Sequence, residues 1–182
     1  MQITETGLAG ALILEPRRFG DARGQFYESF NARTFASLTG LEVQFVQDNH
    51  STSAVGVLRG LHYQLPRAQG KLVRVVRGTV VDVIVDLRAS SPTLGRSVAV
   101  ELSAENALQM WIPEGFAHGF QVLSPEGADF LYKTTDYWSA ADEHCIRWDD
   151  PDLGIAWSSV VAPIVSDKDA RGGSFRDAVK FP

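Results

Sequence analysis

His62, Lys71 and His118 are the side chains whose types and settings point most directly to chemistry. They belong to two glycine-marked segments. One is Gly56-Val57-Leu58-Arg59-Gly60-Leu61-His62-Tyr63-Gln64, leading on to Lys71; the other is Pro113-Glu114-Gly115-Phe116-Ala117-His118. An ammonium has no lone pair to donate to a metal and repels a cation. If two imidazoles and a lysine share one pocket, they suggest proton chemistry. His62 is the leading candidate for a general base, because an unperturbed imidazole titrates near neutrality. Lys71 could stabilise an enolate oxygen, where losing one such electrostatic donor typically costs about 2.7–4 kcal/mol of barrier. A base that removes a carbon-bound proton needs a partner to fix its tautomer and stabilise the imidazolium. Asp169 can be that partner only if the tail folds back. Tyr132, ending Phe130-Leu131-Tyr132, could be a proton donor on the opposite side of a substrate. The plainer readings are a satisfied structural histidine, an exposed lysine at a strand start and a core tyrosine with its hydroxyl at the rim.

Arg23, Arg59 and Lys168 are candidates for phosphate contacts, since arginine's planar fork suits bidentate binding of a phosphate. Phe26 and Glu28 fall on one face just after Arg23, where they could stack on a base and accept hydrogen bonds from a sugar or base. A solvated edge strand explains Arg23 equally well. Arg59 and His62 are three apart, so a straight strand would send them to opposite faces. If both serve one site, Gly60 must mark a bulge or bend. Asp82 and Asp86 read as structural or supporting residues.

The elements that must position these groups are mostly strands. Leu72 to Arg77 and Thr79 to Leu87 are valine-rich runs separated by Gly78, a hairpin-like signal. In the second run Val81, Val83, Val85 and Leu87 take one face, while Val80, Asp82, Ile84 and Asp86 take the other. Ser97 to Leu102, Ala107 to Ile112, Gly119 to Leu123 and Asp129 to Tyr132 continue the series, divided by turn-forming clusters. Many short strands at near-regular spacing imply a sandwich or barrel. Asn31 is positioned to cap a short helix that carries Phe35 and Leu38 on one side and ends at Gly40. The tail after Asp150 reads as irregular, with Arg171-Gly172-Gly173-Ser174 a flexible turn. No repeat, low-complexity stretch or linker divides residues 1–182, so one domain with added terminal segments is expected.

At 182 residues such a domain buries about 70% of its unfolded surface without staples. The 17 Lys and Arg against 22 Asp and Glu give a net charge of −5, which does not favour nucleic acid or an anionic membrane as partner. A local cationic cluster can still bind an anionic small ligand. The single Cys145 fits a reducing cytoplasm and is most simply a packed, inert thiol. No apolar run approaches the ~20 residues of a membrane span, and no charged leader precedes an apolar core.

The two glycine-marked segments resemble the cupin metal-binding pattern, with two of its four ligands replaced. Gln64 stands where a second histidine belongs, and Lys71 replaces the carboxylate, counted back from Gly78. Over nearly all its length the chain further resembles the dTDP-4-dehydrorhamnose 3,5-epimerases. The matching stretches include Phe19 to Gly24, Phe45 to Ser51, Gly56 to Gln64, Gln69 to Val75, Leu102 to Asn106, Ile112 to Phe120 and Ser166 to Asp169. This resemblance implies an all-β, cupin-type jelly roll with short peripheral helices, working without metal or other cofactor. It further implies a homodimer that exchanges N-terminal strands. It assigns His62 as base paired with Asp169, Tyr132 as acid and Lys71 as stabiliser of the C4 enolate, with His118 nearby. Arg23, Phe26, Glu28, Gln47, Asp48, Asn49, Arg59, Tyr137, Glu143 and Lys168 fall on substrate-binding positions for a dTDP-4-keto-6-deoxy sugar. Two departures stand out. Members commonly carry a proline shortly after the Lys168-Asp169 pair, and Tyr137-Trp138 replaces a common Tyr-Tyr. A relative that inverts only one carbon, or a non-catalytic cupin that binds a sugar nucleotide, are the other readings. A binder has no use for a base and an acid.

Overall fold

The computed structural model describes residues 1–182. Along the chain run β1 (Gln2–Glu5), β2 (Leu12–Glu15), β3 (Arg18–Asp21), β4 (Gly24–Tyr27) and the helix α1 (Ala32–Thr39). They are followed by β5 (Gln47–Ser53), β6 (Leu58–Gln64), β7 (Lys71–Arg77), β8 (Thr79–Asp86) and β9 (Ser97–Ser103). The series closes with β10 (Gln109–Ile112), β11 (Phe116–Val122), β12 (Ala128–Thr134), β13 (Glu143–Cys145) and the helical turn α2 (Asp167–Ala170).

The strands form two antiparallel sheets, ordered β1-β2-β10-β7-β12-β5 and β13-β6-β11-β8-β9, with β3 and β4 paired apart from both. This is the all-β jelly-roll architecture expected, with helix confined to short peripheral pieces. Alternation along β8 shows why two layers form. Val80 and Ile84 pack between the sheets with Val73, Met110, Phe120 and Phe130. Val83, Val85 and Leu87 face outward and are covered by Leu153 and Phe181 from the tail. Both faces of β8 are thus buried, which explains its nearly unbroken valine and isoleucine content.

α1 begins and ends as expected. The Asn31 side chain accepts a hydrogen bond from Thr34 N–H, and Gly40 closes the helix in the left-handed region. Phe35 is buried against Trp111 and Phe45, whereas Leu38 is 36% exposed and belongs to the outer side. No helix is long and apolar enough to cross a membrane.

The tail departs from the expected flexible turn. It runs back parallel to the start of β6, where Leu58 N–H donates to Ile164 C=O and Ile164 N–H donates to Gly56 C=O. Further on, Gly173 N–H donates to Cys145 C=O and Arg147 N–H to Gly173 C=O. A Cβ on Gly172 would lie 2.6 Å from Arg147 N. The Gly172-Gly173 pair is therefore a close backbone seam, and it holds α2 against β6.

Candidate active site

A cavity of about 240 Å³ opens between the two sheets. The five-stranded sheet and β13 supply Arg59, His62, Gln64, His118 and Glu143 to its wall, and the six-stranded sheet supplies Ser51, Lys71 and Tyr132. His62 and His118 are direct partners across β6 and β11, while Arg59 pairs with Phe120. Two residues of β6, Gly60 and Leu61, thus oppose Gly119 alone. This is the bulge that brings Arg59 and His62 to the same face despite their spacing. Gly60 has φ +129°, and a Cβ there would meet Gly119 Cα at 2.5 Å, so only glycine fits.

His62 Nε2 lies 2.6 Å from Asp169 Oδ1, a carboxylate brought in by α2 and only 3% exposed. Burial works to raise the Asp169 pKa, but the His62 contact, the Ser166 hydrogen bond and the Lys168 charge outweigh it and lower it. The ionised carboxylate can only accept, so Nε2 carries the proton and Nδ1 keeps the lone pair. Behind His118 the arrangement repeats: its Nε2 lies 2.7 Å from Oδ1 of Asp82, a fully buried carboxylate on β8. Asp82 Oδ2 has no hydrogen-bond partner. Burial raises the Asp82 pKa against the pull of His118 and Lys71.

Burial also acts on Lys71, whose pKa falls from 10.5 to about 8, with Asp82 and Glu143 opposing the fall. The Tyr132 hydroxyl is pushed up, first by burial and then by the Glu143 charge, while Arg59 opposes. It therefore holds its proton at neutral pH. Beneath it, Phe130 stacks on Phe120 at 4.3 Å and lies 5.9 Å from the His118 ring, forming a rigid apolar floor.

Not every residue singled out in the sequence reaches this cavity. Arg23 bonds Asp21 within the β3–β4 hairpin, Phe26 is 71% exposed, and Glu28 borders a separate surface hollow with Phe26 and Phe19. Alternation on β5 turns Asp48 outward, where it pairs with Lys133 at 2.9 Å. Asp48 and Asn49 line a second, outer cavity of about 390 Å³, which Tyr132 also borders. Lys168 pairs with Glu143 at 2.8 Å at the rim. Tyr137 is 61% exposed and does not line the inner cavity, whereas its neighbour Trp138 does.

Gln64 has no counterpart role in the cupin pattern, but its position in the fold accounts for it. Its Nε2 donates to the carbonyls of Arg67 and Tyr137, and its Oε1 accepts from Ser139 N–H at 2.8 Å. Gln47 accepts from Trp138 N–H, and Gln69 donates to Asp136 C=O. These glutamines tie down the segment that holds Trp138 over the cavity. Trp138 and Gln69 were not given a site role from sequence, whereas Asp82, read there as structural or supporting, stands behind His118. The inward parity of Asp82 with Val80 and Ile84 was the available signal, since a carboxylate on an apolar face needs a partner.

These features define a class: a cupin-type jelly roll whose site is equipped to move protons, with a lysine and an amide where metal ligands would stand. Comparison with known proteins narrows it. The sequence profile of the family dTDP-4-dehydrorhamnose 3,5-epimerase matches residues 5–177. The chain is 58% identical over 182 residues to the dTDP-4-dehydrorhamnose 3,5-epimerase of Pseudomonas aeruginosa, covering 100% of both chains. A solved dTDP-6-deoxy-D-glucose-3,5-epimerase from Legionella pneumophila, in complex with dTDP-4-keto-L-rhamnose, superposes with a TM-score of 0.94 at 49% identity. That match covers 98% of this chain and 94% of the other. A 3'-monoepimerase of Streptomyces bikiniensis, in complex with dTDP-quinovose, gives 0.88 at 34% identity, covering 93% and 86%. The chain belongs to the dTDP-4-dehydrorhamnose 3,5-epimerase family.

Proposed function

We propose that this chain inverts C3 and C5 of dTDP-4-dehydro-6-deoxy-D-glucose to give dTDP-4-dehydro-L-rhamnose. The observation that carries this reading is the His62–Asp169 pair on one wall of the cavity with Tyr132 on the other. A hydrogen alpha to the C4 ketone is acidic only if the resulting enolate is held. His62 Nδ1 takes that proton, and the bonding electrons move onto the C4 oxygen beside the Lys71 ammonium. Tyr132 then returns a proton from the opposite face, which inverts the carbon. His62 and Tyr132 reset by exchange with solvent. The cycle repeats at the second carbon after the sugar ring shifts. Asp169 fixes the tautomer and stabilises the imidazolium; His118, held by Asp82, flanks the C4 oxygen site. The reaction needs no redox step, and His62, Asp169, Lys71 and Tyr132 carry it without a metal or cofactor.

The nucleotide is read by Arg59, Gln47, Asn49, Glu143, Lys168 and the Tyr137–Trp138 segment. Arg23, Phe26 and Glu28 act on the cavity of a second copy, in a homodimer whose N-terminal strands cross between subunits. The exposed Phe19 and Phe26 on a hairpin that pairs only with itself support this. The unpaired Cys145 supports a cytoplasmic setting.

Incubation of the 4-keto sugar nucleotide in deuterated water tests the reading. Deuterium is expected at both C3 and C5. Label at one carbon would assign a mono-epimerase, and none would refute catalysis.

A further inference from the structure

We propose that His62 Nε2, Cys145 Sγ and Asp169 Oδ1 form a site for a thiophilic divalent cation, Zn²⁺ in particular, and that filling it switches the enzyme off. The loss of activity rests on the function proposed above; the site itself does not.

His62 and Cys145 are direct cross-strand partners on β6 and β13. Asp169 reaches them from α2, and the three donor atoms all lie within 4.8 Å of one another. Cys145 Sγ is 3.7 Å from Asp169 Oδ1, and His62 Nε2 is 2.6 Å from the same oxygen. Zinc binds nitrogen and oxygen at about 2.0–2.2 Å and sulfur at about 2.3 Å in a tetrahedron, which puts neighbouring donors about 3.3–3.6 Å apart. The sulfur–oxygen edge already fits. The imidazole–carboxylate edge must open by about 0.7 Å to reach that spacing. One imidazole, one thiolate and one carboxylate leave a fourth position for water, the donor count of an open zinc site.

This site differs from the cupin metal position, which would use His62 together with Gln64, Lys71 and His118 on the cavity side. Here the cation sits on the Asp169 side of the His62 ring. Its two anionic ligands balance the charge of the ion. On binding, the Cys145 thiol releases its proton to solvent, and the proton on His62 Nε2 moves to Nδ1 as Nε2 becomes a ligand. The lone pair that would take the substrate's alpha proton is then gone, and Asp169 no longer supports the base.

The test uses full-length protein stripped with chelator and titrated with Co²⁺ as a spectroscopic probe and with Zn²⁺ by equilibrium dialysis. One equivalent per chain and a thiolate-to-cobalt charge-transfer band are expected. Cys145→Ala should abolish the band and weaken Zn²⁺ binding at least about 10-fold. It should keep wild-type epimerisation without metal and resist Zn²⁺ inhibition by the same factor. Cys145→Ser serves if the alanine variant fails to fold, and Mg²⁺ should neither bind nor inhibit. Absence of stoichiometric binding, or Zn²⁺ binding unchanged in both Cys145 variants, would overturn the proposal. A chain that binds Zn²⁺ through Cys145 yet lacks epimerase activity supports the site and overturns only the functional reading.

Discussion

His62 and Tyr132 stand on different sheets, and in the proposed reaction their separation makes removal and return of a proton distinguishable steps. Replacing His62 by Ala should abolish deuterium exchange at both carbons, a loss of roughly 10²–10⁴-fold; surviving exchange would remove it as the base. Tyr132→Phe should let exchange outlast net inversion, because the base still works while the opposite-face donor is missing. NMR of the product reads both quantities. Lys71 adds a pH signature. Burial lowers its pKa from 10.5 to about 8, so kcat/KM should fall as pH rises through about 8 and the ammonium is lost. Between about 8 and 10.5 the unfolded chain binds more protons than the folded one, so this group's contribution to stability rises with pH there. Activity falling while stability to urea gains across one window would be diagnostic. A parallel decline of both would contradict a functional cation at Lys71.

At the scale of elements, the segment from Asp136 to Asp142 depends on side chains beneath it. Gln64→Leu would leave the buried Ser139 N–H without its acceptor, costing about 1–3 kcal/mol. It would also free Trp138 from its place over the cavity. We expect KM for the sugar nucleotide to rise more than kcat falls, and quenching of Trp138 fluorescence by bound nucleotide to weaken. An unchanged KM with lower thermal stability would reduce Gln64 to a purely structural residue. The tail behaves similarly. Its glycine seam at Gly172 and Gly173 fixes α2, and α2 fixes Asp169 against His62.

For the whole molecule, the chain by itself leaves Arg23, Phe26 and Glu28 away from the inner cavity, on a hairpin with an exposed aromatic face. Subunits carrying Arg23→Ala co-expressed with subunits carrying His62→Ala should recover about a quarter of the sites, since each mixed dimer assembles one intact site. Activity no greater than that of the two variants alone would place Arg23 within its own subunit's chemistry or outside it. Sedimentation should report the dimer before the mixing is done.

The sequence by itself determined the all-β architecture, the alternation of β8, the Asn31 and Gly40 ends of α1 and the demand for a bulge at Gly60. These follow from local periodicity, capping and backbone sterics, which neighbouring residues carry with them. The resemblance to the cupin pattern, with Gln64 and Lys71 in ligand positions, likewise made proton chemistry the expectation. The tertiary structure decided the rest. It turned Asp48 outward and set Trp138 over the cavity, and it gave Gln64 a segment to hold. It set Asp82 behind His118 and Cys145 beside His62, and made a close seam of what reads locally as a flexible glycine turn. Those outcomes depend on which strands pair and in what register, and on residues more than 80 positions apart meeting, as His62 and Asp169 do. Local sequence does not encode such distances; only the closed pair of sheets and the returning tail fix them.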